Sequence, residues 1–288
     1  MKKICYIIAI LTLLAGCAPE PQQPGSLVLE GWIDANGYPV VLIHRSLVFA
    51  NMPDSVRKLE DMVEDLLIPF GKVTVSDGVE EVILTGRLDT AYMPPYTYSS
   101  INMVGQVGKT YKVTAKYNDL YAEASTTIPP VAHLDSLSVR FDSVGLGTVR
   151  GYMSGVDNPY DSYYVLFVRE QGKKQFQFCP LGVFEGREAV NGRIEMVVSY
   201  SQKQDIKGRN DYCFYRDSVQ YQLKLARVDY ASYQFWQAYS QQQLTSGLVF
   251  VTVYRNVPSN VEGGLGYFSG MGSSVYTFDT TRDTTYYY

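Results

Sequence analysis

Residues 110–127 alternate with a period of two, and that pattern restricts the folds open to this chain more than any other feature. Tyr111, Val113, Ala115 and Tyr117 point one way while Lys112, Thr114 and Lys116 point the other. Asn118-Asp119 supplies a tight turn, and Leu120 to Thr127 returns. A helical period would scatter these residues around a cylinder; only a strand puts every second side chain on one face. One apolar and one wet face is the mark of an antiparallel sheet packed on one side.

The rest of the chain repeats that chemistry. Leu27, Leu29 and Ile33 share a face of a first strand, Ala35-Asn36-Gly37 turns, and Pro39 to Arg45 follows as the next strand. Val73 and Val75 alternate with Lys72, Thr74 and Ser76, and Ser76-Asp77-Gly78 leads into a strand over Glu81 to Thr85. In the second half, Tyr163 to Glu170 is apolar on both faces, as a central strand must be. Gln175 to Cys179, Arg193 to Tyr200, Val219 to Leu225 and Leu248 to Tyr254 read as further strands, and Thr284 to Tyr288 as a last strand or tail.

Two stretches break the period. Val56, Leu59, Met62, Val63, Leu66 and Leu67 recur at three and four residues between a capping Asp54 or Ser55 and a stop at Pro69 and Gly71, which predicts a short helix. Residues 230–243 lack Gly and Pro, and Tyr233, Trp236 and Tyr239 or Ser240 fall on one side of a second helix closing an end of the sheet. Pro129-Pro130 cannot continue a central strand and marks a domain boundary. The expected fold is mainly β: an immunoglobulin-like sandwich over 26–130 and a larger β domain with its helix over 131–288.

Lys2 and Lys3 precede a twelve-residue apolar run, Ile4 to Ala15, and small residues lead into Cys17. The run is too short to cross a bilayer, which takes about 20 residues, so residues 1–16 read as an export signal. The Leu14-Ala15-Gly16-Cys17 ending resembles the lipobox of bacterial lipoproteins, where the cysteine is lipidated and becomes the first mature residue. Residues 17–25, the lipidated cysteine and a Pro- and Gln-rich tether, would then hold the globular part near a membrane.

Loss of residues 1–16 removes two lysines and takes the balance to 23 Lys+Arg against 29 Asp+Glu. A mildly acidic chain with interspersed signs offers no basic face for nucleic acid. Tyrosine is abundant, 25 residues against 2 Trp, which suits a Tyr-rich β-protein more readily than a sugar-stacking platform. Of the four cysteines, Cys179 and Cys213 remain once Cys5 leaves and Cys17 is lipidated. Both lie in aromatic, strand-like stretches that would face an oxidising compartment, leaving a disulfide or two separate buried thiols as the alternatives.

No catalytic, cofactor-binding or metal-binding constellation is visible. Gly263-Gly264-Leu265-Gly266 lacks the Gly-Lys-Ser/Thr of a phosphate loop and the βαβ context of a dinucleotide site. It reads as positive-φ turns and close backbone packing, with a partner- or ligand-contacting loop over Asn260, Glu262, Gly263, Gly264 and Gly266 as the functional alternative. His44 and His133 are the only histidines and have no metal-ligand spacing. Asp34-Ala35-Asn36-Gly37 starts like a calcium loop, but its Gly is fourth where an EF-hand needs it sixth and the closing Glu is missing, so it reads as a hairpin turn; there is no Gly-x-Ser-x-Gly elbow. Folding alone would have to bring acids such as Glu30, Asp34, Asp229 and Glu262 together as a catalytic pair.

Leu27 to Asp34 running into Gly37 to Leu42, Val73 to Gly78, Gly108 to Val113, and above all Asn256-Val257-Pro258-Ser259-Asn260-Val261-Glu262-Gly263-Gly264 through Gly270 carry a family resemblance. Together they resemble the bacterial lipoproteins catalogued as domain of unknown function 4249. The resemblance implies an outer-membrane lipoprotein, typically encoded near TonB-dependent transporters, and no established activity. The expected role is therefore a non-enzymatic, lipid-anchored outer-membrane accessory or binding protein, held to the membrane through Cys17 and partnered by such a transporter. Its contact surfaces are expected around Glu30 to Tyr38 and Asn260 to Gly270. An enzyme acting on surface glycan or peptide, and an adhesin or envelope-structural lipoprotein, are the alternatives.

Overall fold

A computed structural model describes residues 26–46, 66–200, 214–246 and 257–288. The protein is mainly β. Its strands are β1 (Leu27–Asp34), β2 (Val40–Arg45), β3 (Lys72–Ser76), β4 (Glu81–Ile83), β5 (Thr85–Leu88), β6 (Tyr96–Ser99), β7 (Thr110–Tyr117) and β8 (Leu120–Thr127) in the first half. The second half adds β9 (Ser136–Phe141), β10 (Leu146–Ser154), β11 (Tyr163–Glu170), β12 (Gln177–Glu185), β13 (Arg193–Val198) and β14 (Phe214–Tyr215). It closes with β15 (Gln220–Val228), helix α1 (Tyr230–Ser246), β16 (Val261–Glu262), β17 (Leu265–Asp279) and β18 (Thr284–Tyr287).

The β7–β8 hairpin pairs Thr110 with Thr127 through to Tyr117 with Leu120, with Asn118 at φ 51° in the two-residue turn. That positive φ is the geometry a tight hairpin needs, and Asn tolerates it better than most residues. Tyr111, Val113 and Ala115 are buried and Lys112 and Lys116 exposed, as the alternation predicts. The strand expected over Glu81 to Thr85 instead breaks at buried Leu84: β4 pairs with β3, and β5 crosses to pair with β6 in another sheet. The expected helix at 54–67 and strand at 248–254 lie largely or wholly outside the described residues, as do the export signal, Cys17 and the tether.

Three sheets build the molecule. The central one has eight strands in the order β12-β11-β15-β17-β1-β2-β6-β5, and two five-stranded sheets lie against it. One of these is β16-β8-β7-β3-β4; the other is β13-β10-β9-β18 with β14 on β10. β17 is the spine of the central sheet, parallel to β1 at its start and antiparallel to β15 at its end. Its even-numbered residues face both sandwich cores. Phe268 packs with Leu27, Leu29, Ile43, Val113 and Ala115 in the first, and Tyr276 and Phe278 with Leu166, Leu223 and Phe214 in the second. Strands from the end of the chain thus complete a core built mostly from its beginning.

The opposite face of the central sheet carries the odd-numbered residues of β17 and is covered in part by α1. There Val165, Phe167, Ala226, Val228, Tyr267 and Met271 meet Tyr233, Phe235 and Trp236. Asp229 caps the helix: its Oδ1 accepts from Ser232 N at 2.8 Å, satisfying a donor that the first turn leaves open. Its Oδ2 accepts from Thr126 Oγ1 of β8 at 2.7 Å, which ties the helix start to the first core. The predicted helical side of Tyr233, Trp236 and Ser240 is buried, and Phe235 is buried beside it. Among the described residues no helix is long and apolar enough to cross a membrane.

Candidate functional site

Beside α1, on that same face of the central sheet, is a cavity of 570 Å³. Strand alternation decides which side chains enter it. β1 sends Leu27, Leu29 and Ile33 to the core and Glu30, Trp32 and Asp34 to the cavity. β17 contributes Tyr267, Met271, Ser273 and Val275, β15 contributes Lys224, β11 Phe167, and β12 Gln177 and Phe178. The helix adds Phe235, Trp236 and Tyr239, while Tyr92 and Met93 come from the β5–β6 loop and Lys174, Gln175 and Phe176 from the β11–β12 loop. Both tryptophans of the chain are in this wall.

The aromatic side chains form a continuous framework. Trp236 stacks on Phe178 with ring centres 4.8 Å apart, and its edge meets Phe167 at 5.1 Å and Tyr267 at 5.0 Å. Phe235 lies 4.4 Å from Tyr267, and Trp32 lies 6.1 Å from Tyr92. Phe176 is held from behind by the Arg169 guanidinium, 4.2 Å above its ring, and Arg169 is itself fixed by Gln222 and by the Lys174 carbonyl. Rings pinned from several directions keep their faces in place without a ligand, which lowers the ordering cost of binding one.

The polar groups divide into satisfied and unsatisfied. Lys224 is only 6% exposed, yet its Nζ lies 2.6 Å from Asp34 Oδ1 and 2.8 Å from Oδ2. Ser273 Oγ donates to Asp34 Oδ1 at 2.6 Å, so the carboxylate has two partners on the sheet. At the mouth, Lys174 Nζ is 3.5 Å from Asp89 Oδ2, bridging the two loops. Glu30 has no such partner among the described residues: protein surrounds it apart from the cavity it faces, and burial pushes its carboxyl up from 4.5 to about 7. Burial, reinforced by Glu30, holds the neighbouring Tyr267 phenol well above its ordinary range, so it stays a neutral donor. The Nε1–H of Trp236, a residue 5% exposed, has no hydrogen-bond partner in the structure. Buried donors are rarely left so, and each costs about 1–3 kcal/mol.

Of the acids named from sequence, folding brings Glu30 and Asp34 into this one cavity and leaves Asp229 at the helix cap and Glu262 exposed on β16. The surface expected around Glu30 to Tyr38 supplies four of the lining residues, Glu30, Trp32, Asp34 and Ala35. In the Asn260 to Gly270 segment Val261 and Phe268 join the first core, while Glu262 and Gly263 are exposed. Asn260 bonds both backbone groups of Phe268, at 2.8 and 3.0 Å, and Gly263 and Gly266 have φ of 74° and 111°. A Cβ on Gly264 would stand 2.5 Å from the Leu27 carbonyl oxygen, and one on Gly266 would strike that of Leu29. Only Tyr267 of that segment reaches the cavity. Cys179 is a free, fully buried thiol, and Cys213 lies outside the described residues. No group of three or more His, Cys, Asp or Glu able to hold a metal occurs among the described residues.

Sequence reasoning passed over Lys224, Trp236 as a cavity residue, and the β11–β12 loop. One signal was present. On β1 two acids and a Trp share the face opposite three apolar residues, an arrangement a merely solvated face has no use for.

A family model described as domain of unknown function 4249 matches residues 18–277. No curated protein matches the chain. Among solved structures, the chicken CNTN1 FN1–FN3 domains align at 11% identity and a TM-score of 0.23, covering 71% of this chain and 60% of that one. The chain thus spans less than two thirds of that structure's length, and a likeness this slight adds nothing to the description of the fold.

Proposed function

The chain belongs to the family of domain of unknown function 4249, and from that premise we propose a lipid-anchored binding protein of the outer membrane. It holds a small ligand in the aromatic cavity and works beside a TonB-dependent transporter. The cavity carries this reading. Its 570 Å³ falls in the range of small-molecule sites, which are largely apolar with a few placed polar groups. The lipobox-like Cys17 supports the anchor, and the family resemblance supports the transporter.

Affinity purification of tagged protein from gently solubilised outer membranes tests the assignment. Stoichiometric recovery of a TonB-dependent transporter is the expected result; recovery of the lipoprotein alone under the mildest conditions refutes the accessory role. One observation favours a second reading. A carboxyl raised to about 7 suits general acid–base work near neutral pH. Asp34, however, is neutralised by Lys224 and Ser273, so no second free carboxylate joins Glu30 in a glycosidase pair. Turnover of a glycan or peptide that disappears in Glu30→Gln would decide for catalysis.

A further inference from the structure

Among the charged side chains that line the cavity one is left over, with the Arg169 guanidinium lying behind Phe176. Lys224 is matched by Asp34, and Lys174 at the mouth by Asp89. Glu30 has no cation partner among the described residues, so its ionised form places one uncompensated negative charge in the wall. The Trp32, Tyr92, Tyr239 and Tyr267 rings share that wall, and aromatic faces carry negative electrostatic potential of their own. Carboxylate and rings therefore favour the same ligand charge and oppose an anion.

We propose that the cavity binds a small organic cation, an amine or quaternary ammonium. Its positive end pairs with Glu30 among the aromatic rings. This rests on the ligand-binding reading above and narrows it to one chemical class. Such a ligand supplies the counter-charge that Glu30 lacks among the described residues.

Binding should depend on pH through Glu30. The groups around it are Tyr267 of β17, Tyr239 of α1 and Tyr92 of the β5–β6 loop. On its own strand Asp34 is tied to Lys224 of β15, and Lys174 and Asp89 stand at the mouth. Burial raises the Tyr92 and Tyr267 phenols above their ordinary value, so neither ionises near neutrality. With the carboxyl at about 7, Glu30 is about one-tenth ionised at pH 6 and about nine-tenths at pH 8.

Both tryptophans report on the cavity, so intrinsic fluorescence of the intact chain is the readout. Three matched pairs serve as probes: choline with 3,3-dimethylbutan-1-ol, phenylethylammonium with 2-phenylethanol, and cyclohexylammonium with cyclohexanol. We expect saturable changes with at least one ammonium probe, about tenfold or more tighter than its neutral partner, and weakening about tenfold from pH 8 to pH 6. Glu30→Gln should remove both the charge preference and the pH dependence while its melting temperature does not fall. Equal binding within every pair, or cation binding unchanged in Glu30→Gln, overturns the cationic class. Binding of neutral probes alone overturns that class and leaves the cavity a binding site. Silence from all six probes, with the native fold confirmed by circular dichroism, overturns both readings.

Discussion

Glu30→Gln should make the protein more stable, and only above acid pH. The folded state holds the Glu30 proton up to about pH 7, whereas the unfolded chain releases it near 4.5. Between those values the native state binds more protons than the unfolded one, so stability falls as pH rises. The separation of about 2.5 units at 1.36 kcal/mol each comes to about 3 kcal/mol, lost progressively from pH 4.5 to 7 and constant beyond. Glutamine has the same shape and no charge, and its amide faces the cavity, so packing is kept. The margin of the variant over wild type should be near zero at pH 4.5 and about 3 kcal/mol at pH 8. For a chain of this size that corresponds to about 6–12 °C in Tm. Urea unfolding of both proteins at pH 4.5, 6 and 8 measures the margin directly, since groups common to both cancel. A margin that is flat with pH, or a variant less stable at pH 8, would falsify the premise that Glu30 is a desolvated carboxyl without a counter-ion.

Lys224→Met should cost about 3–5 kcal/mol, because it strands the Asp34 charge beside a closed wall, and Lys224→Met/Asp34→Leu should regain most of it. Denaturant midpoints of the two variants decide this; equal losses would mean the pair is not coupled. Gly266→Ala combines φ 111° with a clash against the Leu29 carbonyl and should lose more than about 2 kcal/mol, whereas Gly78→Ala, at φ 87° with nothing within 4 Å, should lose about 1. Similar thermal shifts for the two would refute the close packing of β17 on β1. Asp229→Ala removes the helix cap and should cost about 1 kcal/mol, read as earlier loss of α1 in hydrogen exchange. After reduction, the Cys179 thiol, raised by burial, should alkylate only in denaturant; prompt labelling of the folded protein would contradict its position in the second core.

Fold class was legible wherever one face of a strand is wet. The β7–β8 hairpin reads directly because Lys112, Thr114 and Lys116 mark its outer side. Helix α1 reads because Gly and Pro are absent and Tyr233, Trp236 and Ser240 fall on one side. What sequence could not show is partnership over distance. Nothing in Leu27–Asp34 says that its neighbour is Leu265–Met271, since backbone pairing is indifferent to side-chain identity. The cavity was half legible for the same reason. Glu30, Trp32 and Asp34 lie together in the sequence, but Lys224, Trp236 and Phe176 meet them only through the sheet order. The glycines near 263–266 read correctly as constrained backbone, while the carbonyls that constrain them, those of Leu27 and Leu29, belong to the other end of the chain.

The parallel pairing of β1 with β17 also sets an order in time. A chain made or exported from its N-terminus presents Leu27–Asp34 early, yet the strand that covers one of its edges arrives only with residues 265–271. Until then β1 has an open edge on that side, the first core lacks Phe268, and the second lacks Tyr276 and Phe278. Contacts this distant in sequence form late and slowly. Glu30, Trp32 and Asp34 stand on one partner and Tyr267, Met271 and Ser273 on the other, so the cavity closes only when β17 joins β1. A truncated copy could have most of its hairpins and still no cavity: a complete cavity is a certificate that synthesis has run through β17.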